Sequence, residues 1–351
     1  YKEIPEVDAV IGTSSYDAIA EAVEQALEGK KPQVFKDLNR LPDIRTERVV
    51  TTGGYFAHLK IAEGCDKHCT YCIIPKVRGN YRSVPMENLL RQAKELAEKG
   101  VKELILVAQE TTMYGKDIYG EKSLHKLLKE LCKIQGIQFI RIMYCYPEEI
   151  YDELIQTMKE EQKICHYLDM PIQHCNDAIL KKMGRRTNKK EIQEIVTKLR
   201  EAIPDIILRT TLITGFPGET EDNFEEMMDF VDEMEFDRLG VFPYSPEEGT
   251  PAAEFPDQID EEVKADRQCE IMELQQDIAF EKSERRIGQE MLAVIEGKVA
   301  DENAYIGRTY MDAPNIDGYV FIHTDEALMT GDFVKVKITA SSDYDLIGEL
   351  V

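Results

Sequence analysis

The sequence predicts an α/β protein in two parts: a partial TIM-like (β/α)6 barrel followed by a small all-β barrel. Two observations carry the prediction. From about residue 58, short apolar runs alternate with helical stretches, the pattern of parallel strands joined by right-handed crossovers. After Gly288 that alternation stops, and short alternating segments separated by turn residues take over. A length of 351 residues with 43% hydrophobic content is enough to bury a core in two or three domains.

Element by element, residues 1–28 contain "VDAVIGTSSYDAIAEAVEQAL", one apolar run, a turn and one amphipathic helix. That is too little for a domain, and reads as the end of an α/β unit. Residues 29–57 read as a polar, proline-bearing linker. The barrel strands are expected at "HLKIAEG", "ELILVAQ" (103–109), "FIRIMYC" (139–145), "HYLDMPI" (166–172), "IILRTTLITGF" (206–216) and "RLGVFPY" (238–244). Helices are expected at 85–99, 123–133, 148–160, 188–202 and 220–234, with a long charged helix at 258–286 closing the region that ends at 287. In 288–351, "EMLAVIEGKV", "AYIGRTY", "GYVFIH" and "DFVKVKITAS" read as the strands of the second barrel. In a barrel of the first kind, ligands sit at the C-terminal strand ends.

The stretch "EGCDKHCTYC" (63–72) follows the first strand and so falls on that face, with Cys65, Cys69 and Cys72 spaced by four and three. Thiolates are soft ligands for zinc, copper(I) or iron–sulfur clusters. A structural zinc site wants four ligands in paired spacings, for which only His68, inside the loop, is at hand. An electron-transfer cluster wants four cysteines. A catalytic centre keeps one position open for substrate. Eight cysteines in a chain this long do not form the dense disulfide framework of a small secreted domain, so a reducing, cytoplasmic setting is expected. No apolar run is long enough to span a membrane. Cys132, Cys145, Cys165, Cys175 and Cys269 read as ordinary free thiols, and Met143, Met170 and Met183 as packing residues. His174 and Cys175 are adjacent on an extended segment and so should point apart.

CxxxCxxC after the first strand of a βα barrel resembles the radical S-adenosylmethionine (SAM) superfamily. "CTYCIIPKVRGNYRSVP", "LVAQETTMYG", "MPIQHCNDAILKKMGRRT", "TTLITGFPGETEDNF" and "FPYSPEEGTPAA" resemble its methylthiotransferase branch, whose C-terminal OB-like barrel is the TRAM domain. The resemblance covers nearly the whole chain; Val84 stands where the family usually has arginine. It implies that Cys65, Cys69 and Cys72 hold a 4Fe-4S cluster whose fourth iron chelates SAM, and that electron transfer yields a 5′-deoxyadenosyl radical. It further implies SAM contacts from Tyr71 at the adenine, Gln109 and Glu110 at the amino group, Gln173 at the ribose and Arg209 at the carboxylate. Each has a plainer reading as packing, core hydrogen bond or buried ion pair. The family begins with a flavodoxin-like domain carrying a second cluster, and residues 1–57 resemble its last elements plus a linker, which would leave this chain unable to complete sulfur insertion alone.

Charge selects between substrates. The whole chain carries −24, and residues 288–351 hold twelve carboxylates against four basic residues, a net −8. A barrel that reads RNA should be basic; this one should attract a cationic protein. "GRTYMDAPNIDGYVFI" (307–322) also resembles the methylthiotransferases that modify the β-carbon of an aspartate in a basic protein of the small ribosomal subunit, number twelve. That reading implies a reductant such as flavodoxin or ferredoxin and argues against nucleic acid as the direct substrate. The alternatives are a methylthiotransferase of transfer-RNA adenosines, with steeply salt-dependent RNA binding, and a non-catalytic iron–sulfur or zinc module.

Overall fold

The computed structural model describes residues 1, 3–42, 48–300 and 302–351. Residues 43–47 of the expected linker lie outside the described residues, as does Asp301 of the second barrel.

Six strands form one all-parallel sheet in sequential order: β1 (Phe56–Lys60), β2 (Glu103–Val107), β3 (Phe139–Ile142), β4 (Ile164–Asp169), β5 (Ile207–Thr214) and β6 (Arg238–Pro243). The crossovers run through α1 (Met86–Glu98), α2 (Leu124–Cys132), α3 (Asp152–Glu160), α4 (Lys189–Ala202) and α5 (Glu221–Met234). Two of these helices start on reciprocal caps: Asn188 with Glu191, and Thr220 with Asn223. Side chains alternate across the sheet. Leu59, Leu104, Leu106, Ile140, Ile142, Leu168, Leu208 and Leu212 pack under the helices. The intervening Phe56, Ile105, Phe139, Tyr167 and Ile207 pack against Met291, Val294, Ile295 and Val336 of the C-terminal barrel.

That barrel is closed by five strands in the order β7-β8-β9-β11-β10: β7 (Glu290–Lys298), β8 (Ala304–Thr309), β9 (Val320–His323), β10 (Phe333–Ser342) and β11 (Asp345–Leu350). The fifth, β11, goes beyond the four strands expected. It follows β10 after only Asp343 and Tyr344, with Asp343 at φ 53°, so no glycine or proline marks the turn. A 24-residue helix, α6 (Glu261–Glu284), links the two units and packs on α5, β6 and β10.

The expected linker is not featureless. Gln33–Val34 pairs in parallel with Val10–Ile11, ahead of which the helix Ile19–Leu27 returns. A two-residue ladder has no periodicity to read in sequence. The first strand also ends earlier than expected: Ala62–Glu63 leaves the sheet to pair antiparallel with Arg82–Ser83.

The two units are bolted together by buried charge. Glu103 of β2 accepts from Arg141 Nε at 3.0 Å and Arg308 Nη2 at 2.6 Å, and all three side chains are fully buried. Arg308 also meets Glu296 at 2.5 Å, and Arg141 donates to the Tyr310 carbonyl at 2.7 Å. Asp312 pairs with Arg238 at 2.6 Å, and Asp317 accepts from the Tyr167 hydroxyl at 2.8 Å.

Candidate metal centre and cofactor cavity

The loop after β1 is built to one shape. Gly64 sits at φ +79°, where a Cβ would lie 2.1 Å from the Asn80 carbonyl oxygen. Its N–H donates to Gln109 Oε1 at 2.8 Å, and the next amide, of Cys65, donates to the Gly79 carbonyl at 3.2 Å. Only glycine tolerates both the backbone angle and the approach. Gly64→Ala is therefore expected to destabilise the chain by about 3 kcal/mol and to lower iron uptake, read by denaturant midpoint and iron content.

Further along, the Cys72 amide closes a turn onto the Cys69 carbonyl at 3.0 Å. Between them Thr70 ties the loop to distant segments. Its amide and hydroxyl donate to the carbonyls of Met183 (2.9 Å) and Lys182 (2.8 Å), and its carbonyl accepts from the Ala252 amide at 2.9 Å. The loop is thus anchored to the chain that follows β4 and β6, across the mouth of the sheet.

Cys65 and Cys69 are buried and Cys72 is half-buried, all as free thiols. Cys65 and Cys72 line a cavity of about 420 Å³ with Lys60, Ala108, Gln109, Tyr144 and Tyr146. Burial pushes the Cys65 thiol up to about 11, with Glu110, Cys69 and Cys72 adding to it against the Lys67 amide. Burial also raises Cys72. A bound metal would override that preference, because metal deprotonates its thiol ligands outright. Among the described residues no three His, Cys, Asp or Glu side chains converge closely enough for a single metal ion. A cubane is different: its thiolates bind separate corners and stand well apart. Three sulfurs on one loop, a roomy cavity beside two of them and a buried setting fit a 4Fe-4S cluster.

A second cavity, of about 320 Å³, lies on the far side of the same loop, lined by Asp66, Lys67, Tyr81, Glu110, Lys116, Asp117 and Arg186 among others. Lys67 is buried there beside Glu149 (2.5 Å), Glu148 (3.5 Å) and Glu110 (3.7 Å). Burial raises Glu110 to about 7 despite the Lys67 charge. A carboxyl raised on folding holds its proton better in the native state, so its contribution to stability declines from the ordinary carboxylate value up to about pH 7. Glu110→Gln should flatten that decline by on the order of 3 kcal/mol. Urea midpoints between pH 4 and 8 test this; identical slopes for both proteins would refute it.

The residues nominated for SAM are not all brought together. Gln109 is on the cysteine cavity wall, its oxygen committed to Gly64. Neighbouring Glu110 faces the other cavity, with its Oε1 accepting from Thr112 at 3.0 Å. Tyr71 packs edge-on to Phe216 at 6.5 Å, inside a cluster with Met183, Tyr244 and Ala252. Gln173 has φ +73°, and its backbone extends the sheet by bonding Thr211 and Ile213 at 2.8 Å. Arg209 is held by Asp169 at 2.6 Å and Asp317 at 3.7 Å, and lines a separate cavity of about 400 Å³ between the two barrels. His174 turns its Nδ1 to the amides of Cys175 and Asn176, and its Nε2 lies 3.3 Å from Glu219.

Sequence reasoning missed Lys67, Tyr144, Tyr146 and Arg185. The last two form a stack against the cysteine loop. Arg185 lies 4.3 Å above the Tyr146 ring, whose hydroxyl is 4.0 Å from Cys69 Sγ. Their only sequence signal is position: "CYPEE" follows the third strand, and Arg185 stands in "MGRRT".

Comparison with known proteins gives the family and the fold. Residues 59–231 match the family model of the radical SAM superfamily and residues 287–351 that of the TRAM domain. The chain is 62% identical over 346 residues to the ribosomal protein uS12 methylthiotransferase RimO of Lachnoclostridium phytofermentans, covering 99% of this chain and 79% of that protein. It is 49% identical to the protein of the same name from Acetivibrio thermocellus, covering 100% and 79%. Among solved structures, the radical SAM methyltransferase TsrM of Kitasatospora setae, with cobalamin and a [4Fe-4S] cluster bound, shares the fold at a TM-score of 0.53 and 15% identity, over 69% of this chain and 54% of that one. On these grounds the chain belongs to the RimO family of ribosomal protein uS12 methylthiotransferases, within the radical SAM superfamily.

Proposed function

We propose that this chain supplies the radical-generating and substrate-binding parts of an enzyme that adds a methylthio group to the β-carbon of an aspartate of ribosomal protein uS12. The observation that carries the reading is the placement of Cys65, Cys69 and Cys72 on one anchored loop at the C-terminal mouth of the parallel sheet, with Cys65 and Cys72 on a cavity wall. When bound, a 4Fe-4S cluster and SAM supply one-electron cleavage of the sulfonium and hydrogen abstraction from an unactivated carbon. The three thiolates hold the cluster. Gln109 holds the Gly64 end of the loop through its side-chain oxygen, and Thr70 holds the other end. Tyr144 and Tyr146 form part of the cavity wall. Of the other nominees for SAM, Tyr71 lies within the loop, Glu110 reaches it through Lys67, and Gln173 and Arg209 act at the sheet.

The C-terminal barrel supports a basic partner. Of its four basic residues, Arg308 is spent on Glu103 and Glu296, leaving Lys298, Lys335 and Lys337 exposed. Asp312, Asp317 and Glu296 are turned inward to the first barrel or to Arg308, so they are not partner-facing, as the net charge alone suggests. Glu290, Glu302, Asp325, Glu326, Asp343 and Glu349 remain exposed. Such a surface draws a cationic protein and repels phosphate. A flavodoxin- or ferredoxin-like protein would supply the electron, and a ribosomal substrate places the reaction in the cytoplasm. No described helix is long and apolar enough to cross a membrane.

The test is competitive binding of the reconstituted chain to uS12 and to transfer RNA at several salt concentrations, with 5′-deoxyadenosine quantified after anaerobic reduction in the presence of SAM. Preferential uS12 binding and SAM-dependent 5′-deoxyadenosine formation are expected. Tight, salt-steep RNA binding with no uS12 binding would favour the transfer-RNA reading instead.

A further inference from the structure

Arg185 is a buried cation without a matching anion. It is 7% exposed and has no carboxylate partner among the described residues. One Nη donates to the Pro171 carbonyl at 2.9 Å, and its Nε has no partner at all. Glu148, whose charge also bears on it, makes no direct pair with it: one oxygen lies 3.5 Å from Lys67 and the other has no hydrogen-bond partner. Also beside Arg185 are Cys69, Tyr71 and Tyr146, none of them a carboxylate. Taking a guanidinium out of water is costly unless an anion meets it, and stacking on Tyr146 at 4.3 Å offsets only part of that cost. The stack leads to the cysteine loop, since the Tyr146 hydroxyl is 4.0 Å from Cys69 Sγ.

We propose that Arg185 is the counter-ion of the cluster bound by Cys65, Cys69 and Cys72, acting through the Cys69 corner, and that with Tyr146 it raises the cluster's reduction potential. This rests on the cluster reading above. A thiolate-bound iron–sulfur core is an anion, and its reduction adds one further negative charge. A fixed cation beside it favours the reduced form, as does a hydroxyl that donates to a ligand sulfur; charge and hydrogen bonds to the sulfurs are the protein's levers on such potentials. Arg185 is thus a positioning residue whose charge is unmatched in the metal-free chain and matched in the loaded one.

The experiment is a redox titration, followed by electron paramagnetic resonance, of the full chain reconstituted anaerobically with iron and sulfide. Arg185→Gln, Arg185→Lys and Tyr146→Phe are compared with the parent, and urea unfolding of each metal-free protein is run alongside. Arg185→Gln should move the midpoint to a more negative potential by at least tenfold in the reduced-to-oxidised ratio, which for one electron is about 59 mV. Arg185→Lys should recover most of that shift, and Tyr146→Phe should shift it in the same direction. Metal-free Arg185→Gln should be as stable as the parent or more so. A midpoint unchanged in both Arg185→Gln and Tyr146→Phe, or metal-free Arg185→Gln clearly less stable than the parent, would overturn the proposal and leave Arg185 a packing residue. A parent protein that takes up no cluster would instead refute the reading on which the proposal rests.

Discussion

Serine at Cys65, Cys69 or Cys72 is expected to reduce 5′-deoxyadenosine formation to the uncatalysed background. A hydroxyl is a hard, reluctantly ionised donor in place of a soft thiolate, so each change removes one of the three ligands proposed for the cluster. Because Cys65 and Cys69 are buried, serine there also costs about 1–3 kcal/mol as a poorly paired hydroxyl. The control is Cys269→Ser, an exposed thiol on α6, which should retain full iron content and full product. Iron and sulfide per chain, with product quantified after anaerobic reduction, are the measurements. Full activity in any one of the three serine variants would remove that cysteine from the ligand set.

The second large effect falls where the two barrels meet. Glu103→Gln should destabilise the protein by about 3–5 kcal/mol, because Arg141 and Arg308 would then be buried without their shared carboxylate. Burial works against the Glu103 charge, but the two guanidiniums outweigh it and hold the carboxyl below the ordinary range. A depressed acid stabilises the fold above its unfolded value and loses that contribution as pH falls through the folded one. Acid unfolding of the parent should therefore be steeper than that of the variant. Replacing the triad together, as Glu103→Leu with Arg141→Met and Arg308→Met, should cost less than the single change, since only Glu296, partly exposed and still bonded to the Tyr55 hydroxyl, then loses a cation. Thermal unfolding of both proteins decides; a single change milder than the triple would contradict the account.

What the sequence made legible was local. Strand and helix periods placed six parallel strands in order, and the spacing of Cys65, Cys69 and Cys72 stood out because ligands of one loop are close in sequence. What escaped depends on which distant side chains meet. Arg308 reaches Glu103 across 205 positions, and Lys67 reaches Glu149 across 82, with no periodicity to announce either. Arg209 illustrates the same limit. Its place in a strand was readable, but not its bond to Asp169 or the cavity it lines. Strand β11 was missed for a different reason, since its turn uses Asp343 and Tyr344 rather than glycine.

The most direct measurement on the cysteine loop is the low-temperature paramagnetic resonance spectrum of the reconstituted, reduced chain with and without SAM. One cluster per three-cysteine loop, with a spectrum that changes when SAM is added, is the expected result, since one iron keeps a position that the polypeptide does not fill. A spectrum indifferent to SAM, from a centre carrying four amino-acid ligands, would contradict it.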